Sequence, residues 1–401
     1  MGQRGFTEAG LRRVRRVLTR HVESGKIPGL VALLGRGDHT HVEAIGTMRH
    51  DGGPPMRRDT IFRMASASKP VTTAGAMILL DECRLRLDEP VDAWLPELAA
   101  RRVLARPDGP LDDTVPAERP ITVRDLLTST FGLGVDFELM TAPIRAATFA
   151  ATDYSVYSGP APEPGEWMRR LGELPLSHQP GRRWQYDLAI EVLGVLIARV
   201  AGTTLEEFLR ERLFTPLGMN DTGFHVPAEK IDRLPPLYGP DPATGEFHVW
   251  DQARGGRSST PPAFQGAGGG LVSTADDYHA YFRMLLGHGQ PILSRPAVEL
   301  MTTDRLSPQM SAARQNMYRG IAHIAQGMPP GGWGFGMGVH TRRDGYVPAG
   351  QFGWDGGTGT SAYADPGSGL VGVLLTQVGM STPDSTRVIQ DFWTTAHQAL
   401  A

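Results

Sequence analysis

One cysteine, Cys83, in 401 residues excludes an intrachain disulfide and a thiolate metal cluster built within the chain. That residue is expected to fill space beside Leu79 and Leu80. An excess of charge of either sign is also missing, with 40 basic residues against 43 acidic ones. Such a balance gives no bulk electrostatic reason to expect nucleic acid or an anionic membrane as partner. No zinc-finger, dinucleotide or phosphate-loop spacing occurs, and His21, His39, His41 and His50 lack the paired spacing of a zinc helix. They read as solvated or structural, and neither a metal nor another cofactor is expected. Apolar stretches are too short or too interrupted to cross a bilayer. The first twenty residues carry charge throughout and place Leu11, Val14 and Leu18 on one helix face, without the apolar core of an export signal. A soluble cytoplasmic protein is the expectation, and nothing in the sequence specifies an oligomeric state.

What the chain does contain is enough apolar content, 40%, to bury a sizeable core. Residues 29–35 and 41–46 read as two strands around a polar turn, and 71–82 as a buried helix. The stretch 140–180 is weakly helical and broken by Pro162 and Pro164. Firm helical runs follow at 188–200 and 204–214, then a Gly-, Pro- and Asp-rich segment up to 275 and another helix over 276–286. In the last third, 333–339, 358–364 and 370–377 look like strands, and 386–400 closes with a helix. Strands at both ends with helices between predict an α+β chain: a central antiparallel sheet made by both termini, flanked by helices, with a mostly helical second part. The expected division is 1–85 with 265–401 for the sheet domain and 86–264 for the helical domain, with a cleft between them.

Three segments carry chemistry. In Ser66-Ala67-Ser68-Lys69 a hydroxyl and an amine stand three positions apart where a helix begins, on one face of its first turn. A serine hydroxyl is a weak nucleophile until a neighbour takes its proton. Pro70 is tolerable only if it lies in that first turn. Tyr186 sits between a Pro180-Gly181 turn and the apolar run beginning at Leu188, so its hydroxyl is available to relay a proton. Trp354-Asp355-Gly356-Gly357 precedes a strand-like run, and the Gly357 amide is a candidate to join that of Ser66 in holding an oxyanion.

In this order and spacing, with Ile121 to Leu133, Pro216-Leu217-Gly218-Met219 and Gly268 to Thr274 as supporting strings, the chain resembles the serine beta-lactamase and penicillin-binding-protein superfamily. It is most similar to the class C beta-lactamase-like branch and, within it, to family VIII carboxylesterases. The resemblance implies a beta-lactamase-like fold with Ser66 as acylated nucleophile, Lys69 as its partner and Tyr186 as proton relay. Two departures matter. Leu188 stands where lactamases of this branch carry an asparagine that holds the substrate amide, and Trp354-Asp355-Gly356 replaces Lys-Thr-Gly or its histidine variant. A lysine there would bind a substrate carboxylate, and an indole cannot.

The expected activity is therefore that of a carboxylesterase, with a small-molecule ester as partner. Beta-lactam or D-amino-acid peptide and amide hydrolysis, or acyl transfer to another acceptor, are the enzymatic alternatives, and a catalytically silent ligand-binding relative is the non-enzymatic one. Trp354, Asp355, Gly356, Phe131, Leu188 and His178 are the expected substrate-contacting residues, and Phe137, Trp167 and Trp184 are further candidates to shape an acyl pocket. Sequence leaves open which of Lys69 and Tyr186 is the base, because two coupled groups share their titration.

Overall fold

The computed structural model describes residues 5–152, 161–241, 244, 246–319 and 331–401. Two short runs around the polar turn at 36–40 fold into the hairpin β1 (Gly29–Arg36) and β2 (His39–Gly46). The sheet is completed by β3 (Gly332–Trp333), β4 (Gly338–Val339), β5 (Phe352–Gly356), β6 (Thr360–Asp365) and β7 (Leu370–Thr376). Their order is β2-β1-β7-β6-β5-β4-β3, with every neighbouring pair antiparallel. Leu30 faces Thr376 and Arg36 faces Leu370, so the pairing of β1 with β7 joins the amino-terminal hairpin to the carboxy-terminal strands in one sheet.

Both faces of β1 and β7 are covered, which is why their residues are almost uniformly apolar. On one face Leu30, Ala32, Leu34 and Leu374 pack against α1 (Glu8–Glu23), which presents Val14 and Leu18, and the carboxy-terminal helix, which presents Phe392 and Trp393. On the other, Val31, Leu33, Val373 and Leu375 share one continuous apolar core with α2 (Ser68–Asp81), α3 (Leu188–Ala201) and α4 (Ala275–Leu286). That core also takes in the short helices Val123–Leu127, Pro164–Gly172 and Leu205–Leu209, so it runs on into the helical middle of the chain. The carboxy-terminal helix, α5, spans Pro383–Gln398. Among the described residues no single helix is long and apolar enough to cross a membrane.

Differences from the sequence expectations have local causes. α2 begins at Ser68, three residues earlier than its apolar run, and this leaves Pro70 in the first turn, where its missing N–H has no intrahelical partner to lose. Pro164 likewise starts a helix rather than breaking one, as its fixed φ suits the first helical position. Residues 153–160 of the weakly helical stretch lie outside the described residues. The run 333–339 forms two short strands around a turn, because Gly336 has φ +71° and bends the chain back.

Cys83 departs furthest from its expected role. It is exposed, with φ +59°, because α2 ends in a reversal in which Arg84 N–H donates to Leu79 C=O at 2.9 Å and Cys83 N–H to Leu80 C=O at 3.0 Å. That pattern requires a left-handed residue beyond the helix end, which turns the side chain out of the core.

At the end of β5 the strand backbone lies against Met64, two residues before Ser66. A Cβ on Gly356 would stand 2.1 Å from Met64 O and 2.2 Å from Thr360 Oγ1, whereas one on Gly357 would meet nothing within 4 Å. Gly356→Ala is therefore expected to cost about 1–3 kcal/mol of stability, and Gly357→Ala to change it little. Denaturant unfolding of both variants checks this, and equal losses would contradict the close approach.

Candidate active site

Ser66 occupies a single 3₁₀ turn, Ala65–Ala67, that runs directly into α2. Ala65 has φ +44°, an unusual value for a residue with a Cβ, and the strain is held by bonds from several sides. Met64 N–H donates to Leu271 C=O at 2.8 Å, Thr360 Oγ1 donates to Met64 C=O at 2.9 Å, and Tyr278 Oη donates to Ala67 C=O at 3.1 Å. Leu271 N–H donates to Ser68 Oγ at 3.2 Å, and Tyr281 Oη donates to Pro70 C=O at 2.7 Å. The serine turn is thereby pinned to the sheet, to α4 and to the 266–271 loop.

Lys69 lies one turn on and has no solvent exposure. Its Nζ donates to Ser66 Oγ at 2.9 Å and to Gly268 C=O at 2.8 Å, and makes an ion pair with Asp187 Oδ1 at 2.5 Å. Burial pulls the ammonium's pKa down, but the charges of Asp187, Tyr186 and Glu191 more than offset that and leave it above its ordinary value. Asp187 reaches Nζ from a tight turn with φ +87° and ψ −69°, in which Leu188 N–H donates to Tyr186 C=O at 3.2 Å. This is the strained three-residue turn, a conformation worth about 1–3 kcal/mol of strain.

The backbone of Tyr186 is clamped to Val135 by two hydrogen bonds, of 2.8 and 3.0 Å. The Lys69 ammonium stands 4.7 Å from the centre of its ring. Its hydroxyl oxygen accepts the indole N–H of Trp354 at 2.7 Å. Trp354 is itself 4% exposed and meets Trp333 edge to face at 4.7 Å. Its indole surface is thus occupied by Trp184, Trp333 and Tyr186, while Arg314 lies 5.6 Å over its ring.

Ser66 opens on a cavity of about 460 Å³. Trp167, Phe224, Leu237, Trp250, Pro261 and Phe264 give it apolar walls, and Asp187, Glu191 and the glycines 268–270 line it beside the serine. Several residues expected at the substrate lie elsewhere. Phe131 and Leu188 are 1% exposed and packed in the main core, Leu188 because it opens the buried helix α3. His178 stands 3.6 Å from Asp136 and does not line the cavity. Asp355 points to the opposite sheet face from Trp354, as strand alternation dictates, and accepts the Tyr363 hydroxyl at 3.1 Å. Burial pushes its pKa up to about 6. Trp184 and Phe137 belong to the tryptophan cluster around Trp354, and of the aromatic candidates Trp167 lines the cavity.

Sequence reasoning missed Asp187 and Glu191. Glu191 is buried at the edge of the cavity; Gly268 N–H donates to its Oε1 at 3.1 Å, and Oε2 has no hydrogen-bond partner of its own. Burial, and next the Asp187 charge, push its pKa up to about 7 against the opposing pull of Lys69. The available signal was a carboxylate at 191 inside the otherwise apolar run 188–198. Among the described residues no cluster of three or more His, Cys, Asp or Glu side chains is placed to hold a metal ion.

A family model described as Beta-lactamase matches residues 14–389. Protein Rv1367c of Mycobacterium tuberculosis is 39% identical over 368 residues, covering 88% of this chain and 87% of its own. Esterase EstB of Burkholderia gladioli is 30% identical over 394 residues, 92% of each chain. Among solved structures, EstCE1, described as a hydrolase with promiscuous acyltransferase activity, superposes with a TM-score of 0.78 at 25% identity, over 97% of this chain and 99% of that one. A family match over nearly the whole length, joined to the beta-lactamase-like fold, makes this chain a member of the beta-lactamase family, within the serine beta-lactamase and penicillin-binding-protein superfamily.

Proposed function

We propose that the chain is a serine hydrolase of carboxylic esters, acting through an acyl-Ser66 intermediate with Lys69 and Tyr186 as its acid–base partners. The observation that carries this reading is the 2.9 Å hydrogen bond from a fully buried Lys69 Nζ to Ser66 Oγ at the mouth of an apolar cavity. Esterase relatives such as EstB point the same way.

A lysine held as an ammonium donates to Ser66 and does not accept from it. The scheme requires Tyr186 to act as a phenolate beside the Lys69 ammonium: the Ser66 proton goes to its oxygen as Oγ attacks the ester carbonyl, and Trp354 N–H donates to that same oxygen. The Ser66 and Gly357 amides are assigned to the oxyanion, with Gly357 directly after the strand end that abuts Met64. Collapse returns the proton to the departing alcohol and leaves the acyl group on Ser66.

Esters are favoured over substrates with a carboxylate by the charges around the serine. The strand position that could have presented a lysine carries an indole, and Asp187 and Glu191 place carboxyl groups in the wall. Arg63 and Arg257 also line that wall beside Asp251, which pairs with the Arg63 guanidinium at 2.7 Å and accepts the Arg257 backbone N–H at 2.9 Å. Transfer of the acyl group to an alcohol is the second reading, favoured by the likeness to EstCE1; added alcohol would then appear as new ester in the products.

On a panel of p-nitrophenyl esters and nitrocefin, ester turnover is expected to exceed nitrocefin turnover, and the reverse ranking would contradict the assignment. Ser66→Ala should abolish ester hydrolysis. Tyr186→Phe should lower kcat by about 10²-fold or more, as for a lost general catalyst; near wild-type rates would remove the phenol from the scheme.

A further inference from the structure

We propose that Glu191 takes the proton of the acyl acceptor when acyl-Ser66 is resolved, working from the cavity side while Lys69 and Tyr186 serve the serine oxygen. The inference rests on the acyl-Ser66 reading and assigns a group to its second half.

Three observations converge on this carboxyl. Glu191 and Ser66 line the same cavity, whereas Tyr186 does not line it. Gly268 ties the two together: its C=O accepts from Lys69 Nζ, which also donates to Ser66, and its N–H fixes Glu191 Oε1. A Cβ on Gly268 would stand 2.9 Å from Glu191 Oε1 and 3.4 Å from Asp187 Oδ1, so only a glycine leaves this corner open. Finally, Oε2 is buried with no hydrogen-bond partner of its own, although the Gly268 and Ala267 N–H groups both draw on the carboxylate, and Glu191 keeps 6% of its surface open. A buried carboxyl oxygen left unsatisfied is costly, and a water or hydroxyl in the cavity would satisfy it. A carboxyl that ionises near pH 7 is also matched to general-base work at neutral pH.

The acceptor oxygen of water bonds to the acyl carbon while its proton moves to Glu191 Oε2. The C–Oγ bond then breaks, and Ser66 Oγ takes a proton from the Lys69 ammonium. The proton on Glu191 passes back to the amine, so one water is consumed and one carboxylic acid released.

The charged groups acting on Glu191 are Asp187, ahead of α3, and Lys69 from α2, with the Ala267 and Gly268 backbone N–H groups beside them, while Tyr186 acts on Lys69. Arg63, Asp251 and Arg257 line the same cavity. The helices Val123–Leu127 and Leu205–Leu209 also pack on α3, with Arg124 bound to Asp88, Asp125 to Arg119, Glu206 to Arg210 and Glu207 to Thr204.

The test is rapid-mixing kinetics with a p-nitrophenyl ester, read with intact-protein mass. Glu191→Gln keeps an oxygen for Gly268 N–H, and its first turnover should stay within about threefold of wild type. Its steady-state rate should fall about 10²-fold or more, with acyl-enzyme accumulating on Ser66. Hydroxylamine, which attacks without a base, should restore turnover. Wild-type deacylation should rise with pH through about 7 and then level, because the base must be ionised, and that rise should vanish in the variant. Acyl-Ser66 that resolves at the wild-type rate in Glu191→Gln overturns the Glu191 assignment alone. A chain that turns over ester without any acyl mass on Ser66 overturns the reading beneath it. If the variant does not fold, a wild-type deacylation rate that is flat or falling through pH 7 overturns the assignment.

Discussion

Everything at this site follows from enclosing one lysine amine completely. A charge taken out of water costs several kcal/mol unless partners replace the solvent, and Lys69 Nζ is surrounded by a hydroxyl, a carbonyl and a carboxylate at 2.9, 2.8 and 2.5 Å. Those partners come from three distant parts of the chain: Ser66 from its own turn, Gly268 from the glycine loop and Asp187 from the start of α3. Meeting that need fixes where the middle and the last third of the chain must sit. It also explains why Asp187 is held at φ +87°, since a relaxed backbone would carry the carboxylate away from the amine.

The same enclosure separates two sides of the serine. On one, the phenol of Tyr186 is pinned between the ammonium and the Trp354 indole, inside a tryptophan cluster that leaves little surface free. On the other lie the apolar cavity and the two carboxyl groups. In the mechanism proposed, the serine's own proton is handled on the aromatic side and the incoming acceptor on the acidic side. In that mechanism Trp354 acts through its indole N–H on the tyrosine oxygen.

Much of the fold was legible because the signals were local. Two short runs around the polar turn at 36–40 marked the β1–β2 hairpin, and apolar periodicity marked α2, α3 and α4. The Ser66–Lys69 spacing was readable for the same reason, as one helical turn brings the pair together. Gly357 and Tyr186 could be nominated but not positioned, since their places depend on a sheet joined through β1 and β7. Leu188, Phe131, His178 and Asp355 were nominated by proximity in sequence to a motif. The structure sends each elsewhere: Asp355 to the other face of its strand, Leu188 and Phe131 into the core, and His178 beside Asp136. Cys83 was misread because a helix-ending reversal, not apolar neighbours, decides where that side chain points. Asp187 and Glu191 were overlooked for the opposite reason: acids near a helix start look like ordinary caps. Only the convergence of α2, α3 and the glycine loop reveals that they face a buried amine.

The account stands or falls on one oxygen. Labelling with a phosphonate ester and locating the added mass by peptide mapping asks directly whether the hydroxyl beside the buried amine is the nucleophile. The account predicts a single adduct on Ser66, formed in step with loss of ester hydrolysis and absent from Ser66→Ala. Full inactivation with the adduct on another residue, or undiminished labelling of the Ser66→Ala protein, would contradict it.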